Sequence, residues 1–318
     1  MRAHVLGCGS IGSRHARNLV SLGADVVVSD VAEGAAAALA HSVGATAVTR
    51  EAAPPCELVV VATPTAQHVA DLEWALQRDA DVFVEKPLAA STDGLARARA
   101  LARSHPDRVV MVGCNLRFSE GYAALSANAE KAGRAVALLV DYGWWLPAWR
   151  PGSDYRSQYS ARRSLGGGIV LDAIHEIDYA LALAGPAEDV RGVCANTGVL
   201  DVDVEDVADI TLRHRAGVQS HIHLDYLRRV YSRSCTLIGS TAQITWDVPR
   251  AVVELVSEAG AVPTPLAESI DTDPNAQYVA EMRHMLASID SRAPTCNDIE
   301  RAAATVEVAL AARDGQMR

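Results

Sequence analysis

Residues 3–30 read AHVLGCGSIGSRHARNLVSLGADVVVSD: an apolar run, a glycine turn, an amphipathic run and a second apolar run. That order predicts strand, turn, helix, turn and strand, one βαβ unit. Gly7, Gly9 and Gly12 match G-x-G-x-x-G between a strand at 3–6 and a helix beginning near Ile11. In such a loop the first glycine permits a tight turn and the second lets backbone approach a pyrophosphate. The third lets the helix pack against the strand. Backbone N–H groups at the helix start, those of Ser10 and Ile11, then face the phosphates. Asp30, 18 positions after Gly12, ends the second strand. An acid there accepts hydrogen bonds from the ribose hydroxyls of NAD and repels a 2′-phosphate, which favours NAD over NADP. Its other reading is an acid that merely ends a strand.

The pattern continues in ELVVVATPT (57–65) and ADVFVEKPL (80–88), separated by the helical AQHVADLEWALQRD. This alternation predicts a doubly wound parallel sheet, and the unbroken apolar run Leu58–Val61 suits a strand covered on both faces. Ligands of such sheets bind beyond the carboxyl ends of the strands, where Thr63-Pro64 and Glu85-Lys86-Pro87 lie. Pro87 restricts the backbone of Lys86 to an extended form, so the ammonium stands on a held segment.

Further along, GGGIVLDAIHEID (166–178) predicts a helix entered through three glycines. Val170, Ile174, Ile177 and Leu181 fall on one stripe, with Asp172, His175, Glu176 and Tyr179 opposite. Alone, that polar face reads as solvated; beside a dinucleotide fold and a strand-end lysine it reads as a reaction centre.

Taken together, Gly7 to Gly12, Thr63-Pro64 with His68 four residues on, Glu85-Lys86-Pro87, GCNLRF (113–118) and the HEID helix resemble the Gfo/Idh/MocA oxidoreductases. The motifs stand in that family's order over more than half of the chain. The resemblance implies an N-terminal Rossmann domain and a C-terminal α/β domain with an open, mainly antiparallel sheet. It also implies pyridine-nucleotide chemistry on sugars, inositols or related polyols. Lys86 looks like the lysine that bonds the reacting oxygen, His175 like the histidine that exchanges its proton, and Asp172 like its partner acid. Thr63, Pro64, His68 and Glu85 join Lys86 on the cofactor side, and Asn115 and Arg117 are cleft residues. The chain departs from the family pattern in three places. Asp172 and His175 are three apart where the family has four, Thr65 replaces an asparagine, and Cys114 follows the glycine of GCNLRF. Residues at i and i+3 still share a helix face, so Asp172 keeps a possible role.

We expect two domains, 1–120 and 121–318, because single cores stop growing near ~250 to 300 residues and the chain has 318. The second runs from the strand AVALLVDYGWW (135–145) into the loop LPAWRPGSDYRSQYSARRSLGGG (146–168). In a chain with 5% aromatic residues, the tryptophans, tyrosines and arginines of this loop are concentrated. Rings stack on the C–H faces of sugars and arginines fork onto carboxylate or phosphate, which makes Arg156, Tyr159 and Arg163 candidate substrate contacts. The alternative is tryptophans in the core and arginines paired with surface acids. Six strands between 189 and 257 then predict a meander, and the last two helices are expected to pack back on the first domain. His221 and His223 share one strand face. We read that face as outward and polar, and expect no metal, because no carboxylate set accompanies the pair.

The formal charge of −10 argues against a nucleic-acid partner, whose phosphates need basic side chains. No apolar run approaches the ~18 residues that span a bilayer, and the first strand begins at Ala3, so we expect neither signal peptide nor membrane anchor. Six scattered cysteines without a C-x-x-C pair suit a reducing cytoplasm. Relatives pair the open sheet between subunits, which implies a homodimer or homotetramer. The expected activity is hydride transfer between NAD and a secondary alcohol of a carbohydrate-like substrate. Two alternatives stand: a glycosidase or epimerase that oxidises its substrate transiently, and a non-catalytic nucleotide sensor.

Overall fold

The computed structural model describes residues 1–315. The chain forms two compact units, Met1–Cys114 with Tyr278–Ala304, and Asn115–Gln277 with the segment from Thr305 on.

In the first unit the strands are β1 (Arg2–Leu6), β2 (Asp25–Ser29), β3 (Thr46–Ala47), β4 (Leu58–Val61), β5 (Asp81–Val84) and β6 (Val110–Val112). All pairs are parallel and the order is β3-β2-β1-β4-β5-β6. The helices between them are α1 (Ser10–Ser21), α2 (Ala35–Val43), α3 (His68–Leu76) and α4 (Thr92–Ser104). Helix α1 buries Gly12, His15, Ala16 and Leu19, the spacing of one helical stripe. Strand β4, LVVV, is buried throughout because helices cover both faces of a parallel sheet. The strand order reverses between β1 and β4, so the loops after these two strands part there and open a crevice at their carboxyl ends. The short strands β3 and β6 were not expected. β6 is an edge strand, and Asn297 covers it: its carbonyl accepts from Val112 N (2.9 Å) and its amide donates to Val112 O (2.8 Å). Buried Asp81 anchors the same region through Arg292 (2.8 Å) and Val109 N (2.8 Å).

The second unit contains α5 (Glu120–Asn128), β7 (Ala135–Gly143), α6 (Ile169–Asp172) and α7 (His175–Ala184). Seven strands follow: β8 (Ala187–Ala195), β9 (Val207–His214), β10 (Gln219–Asp225), β11 (Ser232–Gly239), β12 (Gln243–Asp247), β13 (Val252–Val256) and β14 (Thr264–Glu268). The eight-stranded sheet runs β14-β13-β12-β11-β7-β10-β9-β8, antiparallel except where β7 meets β10. The expected meander is therefore interrupted, since β7 lies between β10 and β11. The connection between those two strands crosses its end, and Arg228 on that connection forks onto Asp141 of β7 (2.5 and 2.9 Å). Two helices close the described chain, α8 (Ala276–Ser291) and α9 (Ile299–Arg313); α8 lies in the first unit from Tyr278 on.

One face of this sheet is covered: α7 packs on β7 and β10, α6 on β9 and β10, and α5 on β12, β13 and β14. The other face is open, with Leu139 45% and Val193 75% exposed. His221 and His223 project from it while Ser220, Ile222 and Leu224 are buried. His223 bridges Asp209 (2.7 Å) and Asp225 (3.2 Å), and these bonds push its pKa up to about 9 against the opposing effect of burial. Among the described residues no cluster of three or more His, Cys, Asp or Glu is arranged to hold a metal ion. No described helix is long and apolar enough to cross a membrane.

Candidate active site

The loop after β1 is shaped by what a Cβ would strike. Gly7 has φ +93°, and a Cβ on it would lie 2.6 Å from Ala62 O; a Cβ on Gly12 would run into Gly7 O. At Gly9 there is nothing within 4 Å, so the open space falls where the backbone would receive a pyrophosphate. Helix α1 begins there with no side-chain cap and no acid in its first turn. The N–H groups of Ser10 and Ile11 thus stand at the positive end of a helix dipole. Asp30 accepts from Cys8 N (2.6 Å) and Ala32 N (2.7 Å), which fixes its carboxylate beside that loop while leaving it part-exposed. These residues fit a dinucleotide.

The next two strand ends are tied together. Thr63 Oγ1 donates to Asp71 (2.6 Å), and Pro64 leads into the turn before α3. The His68 ring is buried between Pro87 O and Thr63 O, 2.8 Å from each, so it braces the loops after β4 and β5. Glu85 is buried and its Oε1 meets His15 Nε2 at 2.6 Å, while Oε2 accepts from Lys86 N (3.1 Å). Burial pushes the Glu85 carboxyl up; His15, Lys86 and His68 more than reverse it, so its pKa lies below the ordinary value. The Lys86-Pro87 bond is cis. Lys86 is the one residue from 80 to 89 left partly open to solvent.

Three residues of this network were not anticipated. His15 is on the buried stripe of α1, three residues past Gly12, a position the periodicity marks only as core. Tyr278 on α8 packs against His15 (ring centroids 6.2 Å) and lies beneath the Arg14 guanidinium (4.4 Å). Glu281, one turn on and fully buried, accepts from Cys114 N (2.5 Å). No local signal marks either, since the chain reaches them only after the whole second unit.

In the second unit the expected single helix is two. Helix α6 ends at Asp172, Ala173 and Ile174 form a turn, and α7 starts at His175. Its polar face is not solvated, because every residue from 166 to 180 is buried. The three glycines allow this close packing. Gly167 lies against the carbonyls of Tyr159 and Ser160, and Gly168, at φ +113°, lies against the Glu205 carboxylate, so a Cβ on either would collide.

His175 is 8% exposed at the start of α7. Glu176 beside it is fully buried and pairs with Arg233 Nε of β11 (2.8 Å). Burial opposes the Arg233 charge, but Glu176 and the surrounding phenols outweigh it, and its pKa is raised. Arg117 forks onto Asp178, one turn along α7 (2.6 and 2.8 Å), while its neighbour Asn115 is buried. Asp172 takes hydrogen bonds from the hydroxyls of Tyr159, Ser160 (2.6 Å) and Tyr226 (3.1 Å). In the long loop, Arg156 pairs with Asp154 (3.2 Å) and Asp201 (3.1 Å), and Arg163 bonds Asp203 through its backbone N (2.6 Å). Trp144 and Trp149 stack on each other (5.8 Å, 21°) and are half-buried.

A parallel sheet with a glycine cradle and an acid at the end of β2, joined to a mixed eight-stranded sheet, defines a dinucleotide-binding oxidoreductase of two units. The family model for an oxidoreductase family with an NAD-binding Rossmann fold matches residues 1–114, and the Gfo/Idh/MocA C-terminal domain matches 127–245. The chain is 30% identical to an inositol 2-dehydrogenase of Rhizobium meliloti (strain 1021), across 98% of this chain and 96% of that one. Two solved structures share the fold. They are a myo-inositol dehydrogenase from Corynebacterium glutamicum ATCC 13032 (TM-score 0.78, 24% identity, 99% of this chain and 96% of that one) and the UDP-N-acetylglucosamine 3-dehydrogenase GnnA from Acidithiobacillus ferrooxidans (0.82, 21%, 99% and 97%). The chain belongs to the Gfo/Idh/MocA family of NAD-binding oxidoreductases.

Proposed function

We propose that this oxidoreductase transfers a hydride between NAD and a secondary alcohol of a sugar, an inositol or a nucleotide-linked sugar. The observation that carries the reading is Lys86, whose backbone is held at the carboxyl end of β5 by the Glu85 carboxylate that pairs with His15, and which is partly exposed in an otherwise buried run from 80 to 89. The end-to-end likeness to an inositol 2-dehydrogenase supports it. NAD, when bound, supplies the two-electron acceptor. His175 takes the hydroxyl proton, and the Lys86 ammonium stabilises the negative charge that develops on the oxygen. Asn115 and Tyr159 are proposed to touch the substrate. Arg117 would first have to leave Asp178, and Arg156 its two acids, to do the same. The wide spacing of the six cysteines, with no C-x-x-C pair, supports a reducing cytoplasmic setting.

The test is absorbance at the NADH band with a panel of inositols, free sugars and nucleotide sugars, each with NAD and with NADP. NADH should accumulate with at least one member, and NAD should be preferred by about tenfold or more, since the Asp30 carboxylate repels a 2′-phosphate. Tight NAD binding with no net NADH across the panel would overturn net oxidation in favour of transient oxidation or a sensor.

We further propose that a second copy covers the open sheet face, giving a homodimer or homotetramer. An exposed sheet with Leu139 and Val193 on its surface supports this. Sedimentation should give about two or four times the 33.7 kDa of one chain. A single 33.7 kDa species at micromolar concentration would contradict it.

A further inference from the structure

Asp172 does not face one partner; three hydroxyls converge on it. Tyr159 bonds its Oδ1, and Ser160 (2.6 Å) and Tyr226 (3.1 Å) bond its Oδ2. A carboxylate only accepts, so a charged Asp172 takes the hydrogen of each hydroxyl. The three differ in exposure. Ser160 and Tyr226 are buried, whereas Tyr159 is partly open. Its position is set by the backbone, because Gly167 lies against its carbonyl and Gly168 N donates to Ser160 O (3.1 Å).

The same hub connects to the aromatic pair. The Trp149 ring meets Tyr226 edge-on (5.3 Å) and stacks on Trp144. From the half-buried tryptophans through Tyr226 to Asp172 and Tyr159, an apolar face and a directed hydroxyl are thus linked to one carboxylate, three residues before His175 in the chain. Rings beside a fixed polar atom suit a cyclic polyol, whose C–H faces are apolar and whose rim is hydroxyl.

We propose that Tyr159 reads one hydroxyl of the substrate as a hydrogen-bond donor, with Asp172 as the positioning residue that dictates this polarity. Because Asp172 takes the phenolic hydrogen, the oxygen of Tyr159 meets the substrate as an acceptor. A substrate hydroxyl satisfies it; a fluorine, an ether oxygen or a carboxylate at that position does not. Asp172 acts in this way on the substrate loop through the three hydroxyls it accepts from. This deepens the dehydrogenase reading and rests on it.

The experiment measures kcat/KM for NAD reduction with myo-inositol and with its monodeoxyfluoro analogues. In each analogue one hydroxyl is replaced by fluorine, similar in size but without a hydrogen to give. The unaltered enzyme, Tyr159→Phe and Ser160→Ala are compared, with thermal unfolding of each. For the unaltered enzyme, one analogue at a position that is not oxidised should fall about 100-fold or more below myo-inositol, since a site built to pair a hydroxyl discriminates strongly against its loss. In Tyr159→Phe that gap should close to about threefold, mainly through a raised KM for myo-inositol. Ser160→Ala removes a donor from the same carboxylate without facing the substrate, so it should lose stability and keep the gap. An unchanged gap in Tyr159→Phe, or a closed gap in Ser160→Ala, overturns the proposal and leaves the dehydrogenase reading standing. No NAD reduction by the unaltered enzyme with any inositol removes the cyclic-polyol reading, and this proposal with it.

Discussion

Alanine at position 175 is expected to lower kcat by about 10² to 10⁴, the range for losing a positioned general acid or base. The affinity for NAD should stay within about threefold, because every residue proposed to hold the cofactor lies in the first unit and His175 lies in the second. The imidazole is poised on a rigid element. It opens α7, its neighbour Glu176 is ion-paired to Arg233, and Asp178 is forked by Arg117, so α7 is anchored by two buried acids. Removing the ring leaves those anchors in place, so the loss should be chemical more than conformational. Stopped-flow turnover together with NAD titration by fluorescence separates the two effects. A His175→Ala enzyme with near-normal kcat would end the assignment.

Lys86→Met should lower kcat by about 10² to 10³, in line with removal of one preorganised group that stabilises developing charge. Methionine keeps the length of the stem and removes only the ammonium. The backbone N of residue 86 continues to donate to Glu85, so the strand end should hold its shape. The variant should unfold near the temperature of the unaltered enzyme and still bind NAD. Full activity would show that the reacting oxygen needs no cation at this position. Loss of NAD binding with turnover would instead place Lys86 in cofactor attachment alone.

How far the sequence led differs between the two halves. The glycine cradle, the acid at Asp30 and the strand-end lysine could be read directly, because each depends on backbone conformation within a few residues. His15 could not: on a helix of period 3.6 it falls on the buried stripe, and its bond to Glu85 joins positions 70 residues apart. Tyr278 and Glu281 return to the same network from α8, where nothing local distinguishes them from other helix residues. In the second half the periodicity correctly marked a helical region with His175 in it. It could not mark the turn at Ala173–Ile174, nor the burial of both faces, because the covering groups come from Tyr159, Glu205 and Arg233 in distant segments.

Sheet order shows the same division. Continuous apolar runs alternating with helices leave a parallel sheet as the main solution, so the first fold followed from pattern. In the second unit, short strands in series read as a meander, yet β7, the earliest of them, takes the central place between β10 and β11. By itself, then, the sequence determined the dinucleotide fold, the family and the residues proposed for proton exchange and charge stabilisation, all of which are written in local motifs. The tertiary structure alone decided what Asp172 contacts, how Lys86 is braced and which strand centres the second sheet. Those depend on long-range pairings, and a side chain's partner across a sheet or a buried network leaves no periodic trace along the chain.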